Sequence, residues 1–121
     1  MTVAVHEGLV EHAAIDKAFH ALLAAVEGSG DVAATFQAVV DLVRHHLGSE
    51  ELDIASFADV DAEEAKGLLL EHEGIRQTLD ALAAQLEAGH LPPKAVHDLK
   101  LRFAIHEARE ETGLYRWASA R

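Results

Sequence analysis

Residues 104–117 read "AIHEAREETGLYRW", and they place a histidine and a glutamate where a helix should be burying apolar side chains. A helical stripe recurs every three to four residues, so positions 99, 103, 106, 110, 113 and 117 share one face. Leu99, Phe103 and Trp117 suit a core, whereas His106 and Glu110 interrupt it. Burying an imidazole or a carboxylate without a partner costs on the order of several kcal/mol or forces a large pKa shift, so the interruption needs a cause.

The same helical grammar extends over the chain. Two glycines in "EGSGD" (27–31) end one helix, and Asp31 can cap the next. In "FADVDAEEAKG" (57–67), Asp61 followed by Glu64 has the spacing of a capping box. In "EAGHLPPK" (87–94), Gly89 stands past a helix end, and Pro92 and Pro93 suit a first turn. Three breaks leave four helical segments, at about 8–28, 31–57, 61–88 and 92–117. Each is rich in Ala and Leu, and none alternates like a strand. Four helices with short connections give an all-α, up-down-up-down four-helix bundle. With 121 residues and no linker or low-complexity run, one domain over 1–121 is expected, large enough to bury a core without disulfides.

Shifting the chain by sixty residues superposes it on itself. "LVEHAAI" (9–15) falls on "LLEHEGI" (69–75), and "HLGSEE" (46–51) falls on "HEAREE" (106–111). His12 then meets His72, His46 meets His106 and Glu50 meets Glu110; Glu11 and Glu51 recur as Glu71 and Glu111. The bundle is therefore expected to be a duplicated helical hairpin with a pseudo-twofold axis, each half binding what the other binds.

Spacing sets these residues at one depth. Seventeen residues separate His12 from Ser29 and Ser29 from His46, and seventeen again separate His72, Gly89 and His106. At about 1.5 Å per residue, each pair lies roughly 25 Å below its turn, side by side on antiparallel helices. Glu50 and His72 are each eleven residues from Asp61, so they are level. All six face inward. The stripes are Leu9, His12, Phe19, Leu22 and Val26; Phe36, Val39, Val43, His46, Glu50 and Phe57; Leu68, His72, Ile75, Leu79, Leu82 and Leu86; and Val96, Leu99, Phe103, His106, Glu110 and Trp117. A pair of metal ions removes the burial penalty. A His-x-x-x-Glu pair lies on one helix face, so a ring nitrogen and one carboxylate oxygen can reach one metal while the other oxygen bridges to a second.

A histidine on helix one, H-x-x-x-E on helix two, a histidine on helix three and H-x-x-x-E on helix four: this pattern resembles the hemerythrin-like HHE cation-binding domains over residues 8–117. The resemblance implies a four-helix bundle holding two iron ions as a non-haem, oxo- or hydroxo-bridged centre. It implies that His12 and His46 hold one iron, His72 and His106 the other, and that Glu50 and Glu110 bridge. Oxygen-carrying hemerythrins have a further histidine one turn after the helix-three histidine. Here that position is Arg76, which implies an open position, or one filled by Glu71 or solvent, and leaves room for peroxide or redox chemistry. Mixed nitrogen and oxygen ligands suit iron, and zinc or manganese fits the same set. Ferritin-like di-iron proteins use Glu-x-x-His and more carboxylates, and a histidine phosphotransfer bundle needs an exposed His-Lys-Gly, which "HHLGSEEL" lacks.

The expected function is binding of oxygen, nitric oxide or peroxide for sensing or iron storage; the alternative is an enzyme with catalase-like or peroxidase-like activity on hydrogen peroxide. No tyrosine is expected near the ligand slab. Glu51 and Glu111 read as solvated surface charges, as do the unmatched His6, His20, His45, His90 and His97; Glu11 and Glu71 read as packing or charge residues more readily than as ligands. Ten basic against 21 acidic residues, a net charge of -11, repel phosphate backbones and anionic lipids, so neither nucleic acid nor membrane is an expected partner. The absence of cysteine excludes zinc fingers, iron–sulfur clusters and thiol nucleophiles. "MTVAVHEGLVEH" has no basic leader region, and no 18-residue apolar run occurs, so a cytoplasmic monomer or homodimer is expected.

Overall fold

The computed structural model describes the backbone of residues 2–28 and 30–120, and the side chains of residues 10–28 and 30–120. Ser29, the pivot of the first spacing argument, therefore lies outside the described residues, as do the side chains of His6 and Leu9. Four long helices, α1 (Thr2–Val26), α2 (Val32–Phe57), α3 (Ala62–Glu87) and α4 (Pro93–Thr112), are followed by a short α5 (Leu114–Ser119). Each long helix packs on two others, α1 on α2, α2 on α3, α3 on α4 and α4 back on α1, which closes the four-helix bundle.

The anticipated caps form. Asp31 accepts from the Ala34 N–H and Asp61 from the Glu64 N–H, each satisfying an orphan donor of a first helical turn. Gly89 takes φ +101°, and its N–H bonds to the Leu86 carbonyl while that of His90 bonds to Gln85. This paired bonding closes α3 in a left-handed conformation that only glycine adopts cheaply.

Two boundaries differ from the sequence reading. The first helix begins at Thr2 instead of near residue 8, running through Gly8, because one interior glycine costs only about 1 kcal/mol against alanine. The fourth helix does not continue to 117: it stops at Thr112, Gly113 turns the chain with φ -112° and ψ -81°, and α5 sets off afresh against α1, α2 and α4.

The interior is apolar at both ends and polar between. One cluster, including Ile15, Phe19, Leu22, Val39, Val43, Leu79, Leu99 and Phe103, fills the end below the α1–α2 and α3–α4 turns. A smaller one, Ile54, Phe57, Ala65, Leu68, Leu114 and Tyr115, fills the end below the α2–α3 turn. Between them lie the buried polar residues His12, His46, Glu50, His72, His106 and Glu110.

Candidate metal centre

The two hairpins deliver their side chains to this slab in matched fashion. His46 and Glu50 stand one turn apart on α2 with Nε2 3.1 Å from Oε2, and His106 and Glu110 repeat the arrangement on α4 at 2.9 Å. Across the hairpins, the Nε2 atoms of His12 and His46 approach to 2.8 Å. The rings of His72 and His106 meet edge to face, their centroids 4.7 Å apart.

Each carboxylate faces both histidine pairs. Glu50 turns Oε2 toward His46 and Oε1 toward His72, the latter at 3.4 Å. Glu110 turns Oε2 toward His106 and His72, and Oε1 toward His12 at 3.9 Å. Two groups of potential metal donors result, His12, His46, Glu50 and Glu110, and Glu50, His72, His106 and Glu110, the donor atoms of each lying within 4.8 Å of one another. The two groups share both glutamates.

Without a cation this cluster is poorly satisfied. Glu50 Oε1, Glu110 Oε1 and His106 Nε2 are buried and lack a hydrogen-bond partner, although each lies within 3.9 Å of another member of the cluster. Buried polar atoms are rarely left so, and here three converge on one space. The donor set fits a pair of divalent or trivalent ions.

In the metal-free protein, protons do part of a cation's work. Burial alone would lower the pKa of His72, but the adjacent carboxylates of Glu110 and Glu50 outweigh it and push it up to about 9. Burial likewise opposes charge on His106, and the same two carboxylates raise it to about 10. His46 is raised against burial by Glu50 and Glu11. Burial would lift Glu50, yet the imidazoles of His106, His46 and His72 beside it hold it well below the carboxylate range. Glu110 is pushed up by burial, the neighbouring His106 and His72 not sufficing beside a charged Glu50.

The outward-facing ring nitrogens reveal what the sequence reading undervalued. His46 Nδ1 donates to Glu11 at 2.6 Å, and His106 Nδ1 to Glu71 at 2.7 Å, a matched pair under the sixty-residue shift. His72 Nδ1 donates to Glu51 at 2.9 Å, so Glu51 is no free surface charge. At His12 the symmetry fails. Glu107, not Glu111, lies 2.8 Å from Nδ1, off the line of a hydrogen bond, and Glu111 is exposed as expected. A carboxylate behind a ring fixes its tautomer, leaving Nε2 to face the slab. Glu11, Glu51 and Glu71 thus orient the rings from outside. For Glu11 and Glu71, recurrence immediately before His12 and His72 was the available signal, whereas the copy of Glu51, Glu111, serves no histidine.

Among the described residues, arginines brace one side. Arg76 grips Glu51 with two bonds, at 2.7 and 3.0 Å. Arg109 grips Glu64 with two, at 2.8 and 2.7 Å, and also bonds to Glu71. Its guanidinium lies where a Cβ on Gly67 would stand. Both braced carboxylates serve His72 and His106.

Tyr115 corrects the expectation that no tyrosine comes near the slab. Its hydroxyl donates to Glu50 Oε2 at 2.5 Å and lies 3.3 Å from His12 Nε2. Burial and the charges of Glu50 and Glu110 raise its pKa, so in the metal-free protein it is a neutral donor. A helix unbroken at Gly113 would carry Tyr115 off the inward stripe; the turn there brings it back. Of the remaining histidines, His20, His45, His90 and His97 are exposed as expected, and His45 reaches Glu11 at 3.4 Å. Trp117 is half-buried against Phe57 in α5, not part of an α4 stripe.

The model of the hemerythrin HHE cation-binding domain matches residues 3–118. The chain belongs to this family. No curated protein and no solved structure matches it significantly. Family membership and the buried His/Glu groups together make it a hemerythrin-like cation-binding protein. Among the described residues, no helix is long and apolar enough to cross a membrane.

Proposed function

We propose that the chain is one hemerythrin-like domain, residues 1–121, holding a non-haem di-iron centre. In this reading His12 and His46 bind one iron, His72 and His106 the other, and Glu50 and Glu110 bridge. The observation that carries it is the sharing of Glu50 and Glu110 by two otherwise separate donor groups, each carboxylate presenting one oxygen to each histidine pair. Imidazole and carboxylate donors suit iron; zinc or manganese would occupy the same set.

Such a centre supplies reversible binding and redox chemistry toward oxygen, nitric oxide or peroxide. The protein's part is to hold it in a slab with apolar packing on both sides, to fix each ring from its outer nitrogen, and to keep bulk water from the carboxylates. The primary function we infer is binding of a small diatomic ligand or peroxide, for sensing or iron storage, by a cytoplasmic monomer or homodimer. The net charge of -11 supports the absence of a nucleic-acid partner.

The second reading, an enzyme acting on hydrogen peroxide, is favoured by the buried Tyr115 phenol, which brings a protonatable oxygen beside Glu50 and His12. One experiment addresses both. Protein from iron-supplemented cells is assayed for metal, its spectrum is recorded, and azide or peroxide is added. About two irons per chain, with near-ultraviolet absorption that changes on addition, supports the di-iron reading. Oxygen evolution from peroxide favours the enzyme. A well-folded protein that takes up no iron, zinc or manganese would overturn the assignment.

A further inference from the structure

Ligands bound side by side to one metal stand about 3 Å apart, since each lies about 2.0–2.2 Å from the ion at roughly a right angle. The His12–His46 side of the slab meets this spacing around a closed ring of four atoms. His12 Nε2 to His46 Nε2 is 2.8 Å, His46 Nε2 to Glu50 Oε2 is 3.1 Å, Glu50 Oε2 to Tyr115 Oη is 2.5 Å, and Tyr115 Oη to His12 Nε2 is 3.3 Å. Three of the four are donors already assigned to one metal, and the phenol oxygen closes the ring.

The phenol is also held there. Tyr115 is 7 % exposed, its ring stacks on His12 at 5.7 Å and 29°, and it packs in the apolar cluster with Phe57 and Leu114. The other half of the slab has no counterpart, because the sixty-residue shift places the exposed Ala55 opposite Tyr115.

We propose that Tyr115 is a seventh metal ligand, its phenol oxygen bound to the ion held by His12 and His46. This rests on the di-metal reading above. On metal uptake the phenol O–H bond breaks, an oxygen–metal bond forms and the proton is released to solvent, with no change in oxidation state. The two metal positions are then inequivalent. The tyrosine-bearing one has a coordination position filled and, with an anionic oxygen, favours the trivalent ion. The His72–His106 position, where Arg76 turns away to Glu51, is the one left open to an added ligand. A cleft of about 430 Å³ outside α3 and α4, walled by Ile75, Leu101 and Ile105, has His106 in its lining and lies on that side.

The chain has a single tyrosine, so any tyrosinate signal is Tyr115. Metal-free full-length protein is loaded anaerobically with ferrous iron, two ions per chain, and oxidised in air. The expected result is a visible phenolate-to-iron charge-transfer band with tyrosinate vibrations enhanced in resonance Raman spectra; Tyr115→Phe keeps the iron and loses both. Two bound irons without these signals in the wild-type chain, or with a band that survives in Tyr115→Phe, would overturn the Tyr115 assignment and leave the di-iron reading standing. Failure of the wild-type chain to take up iron would overturn both.

Discussion

Glu110 shows how much one side chain can carry in this interior. It is fully buried, faces three histidines, and its loss would leave His72 and His106 without the carboxylate that raises their pKa values most. Truncation to alanine, or His46→Ala, is expected to abolish stoichiometric metal uptake. It should also destabilise the fold by about 3–5 kcal/mol, the usual cost of removing one member of a buried charged pair. Metal analysis beside thermal unfolding tests this, and a variant with full metal content and unchanged Tm would contradict the ligand assignment. The pH dependence has opposite signs with and without metal. In the metal-free protein, protonated His72 and His106 contribute stability that is complete below pH about 6.5 and is lost as pH rises through about 9 and 10. Metal binding must expel those protons, so apparent affinity should rise over the same range. Melting curves of chelator-treated protein, set beside metal titrations in the same buffers, read out both slopes.

Arg109 invites a residue-scale test with its own control. Gly67→Ala places a methyl group where the guanidinium lies, freeing Glu71 and loosening His106. Metal affinity is expected to fall by about 10–100-fold, as when other carboxylates behind metal-binding histidines are disturbed. Gly74→Ala crowds Arg102 in the same way, but Arg102 bonds to Thr78, not to a carboxylate behind a ligand. Equal losses of affinity in the two variants would show that crowding alone is responsible.

At the scale of the helix, what was legible in the chain depended on whether local chemistry or tertiary packing decided it. Asp31, Asp61 and Gly89 act through their own backbone neighbours, so the starts of α2 and α3 and the end of α3 could be read directly. Gly89→Ala should cost about 1 kcal/mol, because alanine is strained at φ +101°, while metal content stays unchanged. The break at Gly113 was not legible. Trp117 continued the helical period, and only packing of α5 onto the other helices favours the turn. That omission also hid Tyr115. The six inward His and Glu residues were readable because duplication repeats them, whereas Glu107 has no copy: its sixty-shift counterpart is the fully buried Leu47.

For the whole molecule, the polar slab divides one core into two, so cohesion across it depends on what occupies the space between the histidines. Bound metal at a hundredfold excess over its Kd adds about 2.7 kcal/mol. For a chain of this length that is roughly a 10 °C rise in Tm. Differential scanning calorimetry before and after chelation should recover a shift of that order, and identical melting temperatures would show that protons satisfy the slab as well as metal does.

The division of labour between the hairpins has a last consequence. Each contributes two histidines and one shared glutamate, and they are joined through the short turn between Phe57 and Ala62. In the di-iron reading, neither glutamate bridges unless the opposite hairpin supplies its pair of imidazoles. On that reading, a chain cut in that turn is expected to become two half-proteins that reunite when the ion is supplied, the layout of a split reporter that reads iron as reassembly.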